Sequence, residues 1–170
     1  MRPSALPIAL FLVIVAVVIQ TTLFGEGRVQ PLGASPALVT VVVIAVARHL
    51  EPEPTLLVAF TGGMLMDLLG ASPLGLWAIS IVTVAYLTIR FSRYFDRGIY
   101  WVSVGIFALA FLGNVVFSII GTLFGQRTLT DSDVVGLMLL PALYSLILAA
   151  GIFPATARLI KRQRDSIWRS

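Results

Sequence analysis

"GGMLMDLLGASPLG", residues 62–75, carries one acid, Asp67, in a run that is otherwise apolar or small. The nearest charged residues on either side are Glu53 and Arg90. If such a run crosses a bilayer, an ionisable group inside it is costly and by default a functional candidate. The same stretch sets the local fold. The tripeptide "ASP" at 71–73 is all that separates two apolar runs, about 54–71 and 73–89. As one helix these would extend roughly 54 Å at about 1.5 Å per residue, well beyond a bilayer core of about 30 Å. They therefore form a helical hairpin, with Gly70 and Pro73 expected at the turn.

Composition places the hairpin in a membrane. Of 170 residues, 58% are hydrophobic and 12% charged, and the mean hydropathy is +0.99. A water-soluble domain is roughly 45–50% apolar and about 25% charged, so too little polar surface is left here to cover a globule in water. The chain reads as an all-α polytopic membrane protein of one domain, residues 1–170. With no cysteine it can hold neither disulfides nor thiolate metal sites.

Six apolar stretches are expected as transmembrane helices: about 5–24, 34–48, 54–71, 73–89, 99–124 and 134–158, followed by a basic tail at 159–170. The second is the shortest and contains Pro36 near its start. The first exceeds the apolar length of a signal peptide and no A-x-A-like site follows it, so it is kept as a helix. No internal repeat or low-complexity segment stands out beyond the apolar bias.

Charge sets the orientation. With six spans, Arg2, Arg48, Arg90, Arg93, Arg97, Arg158, Lys161, Arg162, Arg164 and Arg169 share one side, and only Arg28 and Arg127 lie on the other. Lys/Arg bias in short loops marks the cytoplasmic side, so both termini are expected there. The basic balance (pI about 10.1) thus reflects topology, with contact to anionic membrane lipid as a second role for the tail. It does not point to nucleic acid.

Asp67 shares a helical face with Ala59, Gly63 and Gly70, a small-residue stripe that lets another helix approach closely. It is therefore expected to face protein. Two readings follow: a binding or switching group, or a structural acid that fixes helix packing. Gln20, Asn114, Tyr144 and Ser145 fall at a similar depth, about 20 Å from the cytoplasmic ends of their helices. Buried polar groups in lipid need partners, so a shared polar layer around Asp67 is one expectation, and independent placement is the other. "GTLFG", Gly121 to Gly125, matches a close-packing G-x-x-x-G pattern.

The catalytic inventory is thin. An intramembrane aspartyl protease would need two facing carboxylates. The single histidine, His49, lies in a loop beside Arg48 and Glu51, and no ligand cluster suggests a metal. No cofactor is implied, and an enzyme is not expected.

These residues also resemble a family. "QTTLFG" (20–25), "SPALVTVVVIAVAR" (35–48) and above all "FTGGMLMDLLGASPLGLWAIS" (60–80) look like the bacterial rod shape-determining protein MreD. The sharpest part is G-x-x-x-D-x-x-x-x-x-x-L-G, carried by Gly63, Asp67, Leu74 and Gly75. Gln20 and Pro36 also fit, whereas Ala37 stands where the family often has Asp. The resemblance implies a non-enzymatic component of the elongasome in the bacterial cytoplasmic (inner) membrane, which inserts peptidoglycan along the cell cylinder. It implies an MreC-type bitopic partner and, through it, RodA, a class B penicillin-binding protein and MreB filaments. It also implies a fold similar to the six-helix substrate-binding subunits of energy-coupling-factor vitamin transporters. Such a subunit is the alternative function. Those subunits tend to carry A-x-x-x-A on the first helix; Ala5 and Ala9 have that spacing, but Pro7 interrupts it. They also need a lidded polar pocket, for which the short outer loops offer little. The scaffold reading is therefore preferred.

Overall fold

The computed structural model describes residues 6–24, 37–70, 73–95, 99–124, 142–156 and 158. The described residues form six helices: α1 (Leu6–Leu23), α2 (Leu38–Ala47), α3 (Pro52–Leu69), α4 (Leu76–Phe95), α5 (Ile99–Leu123) and α6 (Ala142–Thr156). The expected stretches at 34–36 and 134–141 lie outside the described residues, as does the basic tail at 159–170. Two helical segments, Leu6–Leu23 and Val104–Leu123, are long and apolar enough to cross a membrane.

The architecture is built around α2, the shortest helix. All nine residues from Val39 to Ala47 are buried. The reason is composition: "LVTVVVIAVA" presents an apolar or small side chain in every direction, and a helix apolar all round is covered all round. Its β-branched residues are restricted in a helix, so packing rather than intrinsic propensity holds it. At ten residues, α2 spans only about 15 Å. The helices α1, α3, α4 and α5 all pack against it.

This central helix divides the core in two. Val39, Val42, Val43 and Val46 join Ala9, Val13, Ala16 and Val17 of α1, Val58, Ala59 and Met66 of α3, and Ile81 and Ala85 of α4. The opposite face offers Val41 and Ile44 to Val84 of α4, Ile106 and Leu109 of α5, and Ala149 of α6. At the end where α2 finishes, the Arg48 guanidinium lies 5.6 Å from the centre of the Phe153 ring on α6, a cation–π contact that ties the two helix ends together.

The hairpin expected from the "ASP" break is present, with shifted ends. The third helix starts at Pro52, two residues earlier than expected, because proline is well suited to a first helical position and Glu51 supplies the extended residue before it. Thr55 is buried and its hydroxyl donates to the Glu51 carbonyl at 2.8 Å. The fourth helix starts at Leu76 rather than Pro73 and runs on to Phe95. The glycine that makes the turn is Gly75, at φ +94°, where a side chain would be strained. Gly70, the expected turn residue, ends α3 in ordinary extended geometry (φ −95°, ψ 177°).

Candidate functional site

Every helix begins with main-chain N–H groups that have no intrahelical acceptor. For α4 their partners can be named one by one. The Gly75 N–H donates to Oδ2 of Asp67 at 2.9 Å, the Trp77 N–H to Oδ1 at 2.9 Å, and the Ala78 N–H to Oδ2 at 3.1 Å. The Leu76 N–H donates to the Pro73 carbonyl at 3.3 Å, and the ladder proper begins with Ile79 N–H to the Gly75 carbonyl at 2.9 Å. The acid that interrupts the apolar run is thus the cap of the next helix, delivered from the last turns of the preceding one. A carboxylate suits this position because the helix dipole concentrates positive partial charge there.

The cap requires close approach, and Gly63 provides it. A Cβ at Gly63 would collide with the Ala78 Cα and lie 2.8 Å from the Ala78 nitrogen and 2.9 Å from the Trp77 carbonyl oxygen. Gly63 lies one helical turn before Asp67, on the same face. Its missing side chain lets the first turn of α4 lie against α3 at the height where the carboxylate can receive it. The G-x-x-x-D…L-G pattern therefore resolves into physical parts: Gly63 admits the helix start, Asp67 caps it, and Gly75 turns the chain. Leu74 projects outward and is 66% exposed.

Gln20 does a related job on α1. Its Oε1 accepts the Val39 N–H at 2.9 Å, at the second position of α2, and the side chain is buried. The structure thus assigns Gln20 and Asp67 separate main-chain partners, each at the start of the helix that follows. Asn114 is half-buried on α5; Tyr144, half-buried, and Ser145, fully buried, occupy the first described turn of α6. Each of these three makes a polar or ring contact.

Of the expected close-packing residues, Ala59 is fully buried in the core beside α1 and α2, and Gly121 is buried. Gly70 is exposed and takes no part in the α3 interface, a correction to the expected stripe. It is the first residue past the helix, where the chain leaves the packed face. Gly125 lies outside the described residues. Two contact glycines went unrecognised in the sequence. A Cβ at Gly62 would lie 2.5 Å from a Val13 methyl of α1, and one at Gly113 would lie 2.9 Å from a Val84 methyl of α4. The signal was present for Gly62, as half of a Gly-Gly pair. Trp77 also stacks at a tilt on Phe117 of α5, with ring centres 4.4 Å apart.

At the other end, His49 lies on the exposed turn after α2. Partial burial of its ring, and then the Arg48 charge, hold its pKa below the usual imidazole value. Among the described residues no group of three His, Cys, Asp or Glu side chains is placed to hold a metal ion. No protein-family model, curated protein or solved structure matches this chain.

Proposed function

We propose that this chain is a multi-pass, non-enzymatic scaffold of the bacterial cytoplasmic membrane, of the MreD type, acting in cell-shape maintenance and peptidoglycan elongation. One observation carries the reading. The pattern on which the resemblance rests, Gly63, Asp67, Leu74 and Gly75, is a hairpin-building device whose acid already receives three main-chain N–H groups. A carboxylate so engaged is badly placed to bind a soluble cation or carry a proton. What the molecule has left to offer a partner is its surface. This favours a scaffold over the substrate-binding subunit of a vitamin transporter, which needs polar groups turned toward a ligand.

Exposure supports a membrane setting. Within the two longest apolar segments only 28% and 33% of residues are buried, far less than in the core helix of a water-soluble domain. Phe11, Val18, Leu57, Phe60, Tyr86 and Ile147, spread over four helices, all stand outward, which suits helices whose outer faces meet lipid. The excess of Lys and Arg on one side of the expected spans supports an orientation with both termini in the cytoplasm. The partner that fits is the single membrane helix of an MreC-type protein, which packs against small or apolar lipid-facing surface. RodA, a class B penicillin-binding protein and MreB filaments would follow through it.

Affinity purification of the tagged chain from native membranes, with mass spectrometry of what accompanies it, tests the proposal. Recovery of an MreC-type protein and the elongation synthases is expected. Recovery of energy-coupling ATPases in their place would overturn it.

A further inference from the structure

The start of α2 is buried, and its N-cap residue, Ala37, makes no side-chain cap. Of the N–H groups that a helix start leaves without intrahelical acceptors, that of Val39 is taken by Gln20 Oε1 at 2.9 Å. This bond also fixes the other arm of the same amide. Gln20 Nε2 shares its carbon with Oε1, so it too lies at the start of α2, carrying two N–H donors. Gln20 is only 6% exposed, and among the described residues neither of these donors has an acceptor. A second orphan lies in the same turn. Thr40 is 5% exposed, and among the described residues its hydroxyl makes no hydrogen bond. The buried hydroxyls of Thr55, Ser80, Thr88 and Thr156, by contrast, each donate to a main-chain carbonyl. Buried polar groups in native proteins are matched with few exceptions. Two unmatched ones at a single helix start call for an acceptor that the chain does not supply.

We propose that the start of α2 is a binding site for an uncharged carbonyl oxygen, held by Gln20 Nε2 and the Thr40 hydroxyl at the positive end of the helix dipole. Charge decides the class of ligand. Arg48 lies at the far end of α2, about 15 Å away, so no guanidinium offsets an anion here. The nearest placed charge is negative. A Cβ at Gly62 would lie 3.5 Å from a Val39 methyl, and Asp67 follows Gly62 by five residues, about 7.5 Å further along α3. A phosphate or carboxylate would lose its hydration without gaining a counter-ion, whereas a carbonyl loses little and satisfies the donors. Depth indicates the source. Gln20 is three residues from the end of α1 at Leu23, about 4.5 Å inside it. With α1 close to the thickness of a bilayer core, that is the level where the ester carbonyls of membrane lipids lie. A water-borne solute presenting a carbonyl is the other source. The site goes beyond the scaffold reading: it rests on the membrane setting and on no protein partner.

Hydrogen exchange of the full-length protein, read by mass spectrometry in two kinds of vesicle, tests this. One is made of diacyl phosphatidylcholine, the other of its dialkyl-ether analogue, which has the same headgroup and chains but no carbonyl. Amides 38–40 should exchange about tenfold more slowly in the ester lipid, while residues 75–78, capped by Asp67, exchange alike in both. Gln20→Glu keeps an oxygen for the Val39 N–H but removes both donors, and should abolish the difference. Thr40→Val keeps the shape without the hydroxyl and should narrow it. Equal rates in both lipids, with protection gained when N-methylacetamide is added to the ether vesicles, would support the site and assign it to a solute. The proposal is overturned if neither the ester lipid nor N-methylacetamide slows exchange at 38–40. It is equally overturned if Gln20→Glu and Thr40→Val both keep the full effect, because the two donors would then not be holding the carbonyl.

Discussion

Replacing Asp67 distinguishes a structural cap from a charge kept for chemistry, because the three donors are arranged unequally. Oδ2 receives Gly75 and Ala78, whereas Oδ1 receives Trp77 alone. An asparagine can place its carbonyl oxygen where Oδ2 sits and keep two of the three bonds. Its amide nitrogen must then face the Trp77 N–H, donor against donor. One charge-assisted bond is lost and one part-buried donor is orphaned, which costs about 1.5 kcal/mol. Leucine, similar in size, leaves all three donors without an acceptor. At about 1–3 kcal/mol for each orphaned donor, with the two part-buried ones near the low end, the cost is about 4 kcal/mol. Thermal unfolding in detergent reads the difference. At ~2–4 °C per kcal/mol for a chain of this size, Asp67→Asn should lower Tm by ~4 °C and Asp67→Leu by ~10 °C. Insertion should persist in both, since apolar segments rather than caps drive it. Equal Tm values for the two variants, or Leu within ~2 °C of the parent, would refute the capping account and return Asp67 to the list of free functional acids.

Other substitutions and labels probe the same construction. Gly63→Ala should destabilise about as much as Asp67→Leu, because the added methyl meets the main chain of Ala78 and Trp77, which cannot step aside as a flexible side chain would. Little change in Tm on that substitution would contradict the close crossing. Gly75→Ala should cost about 1 kcal/mol from the positive φ alone, since no atom lies within 4 Å of the added carbon; a larger loss would mean that the turn is coupled to something else. Single cysteines at 27 and 127 of this cysteine-free chain should react with an impermeant maleimide added to intact cells, and one at 165 should not. Labelling at 165 would sink the proposed orientation.

Much of the architecture could be read from residues alone, because helices in an apolar chain announce themselves by length and by what interrupts them. The break at "ASP" required a hairpin between α3 and α4 whatever the rest of the chain did, since 54–89 is too long for one crossing. Asp67 could be assigned to a protein-facing surface because its face is shared with Ala59 and Gly63 and because a lipid-facing acid is prohibitive. What Asp67 touches could not be read. Its partners are backbone N–H groups, which every residue but proline carries, so no side-chain pattern points to them; only the packing of α3 against α4 brings them to 2.9–3.1 Å. The same holds for Gln20 and Val39, nineteen residues apart. The depth of α2 in the bundle was also a tertiary outcome. Its all-round apolar surface suits lipid and protein interior equally well, and only its shortness and four packed neighbours show which one surrounds it. Spacing along a chain is a one-dimensional fact. The function of a cap is a contact, and contacts between helices are settled when the tertiary fold brings their faces together.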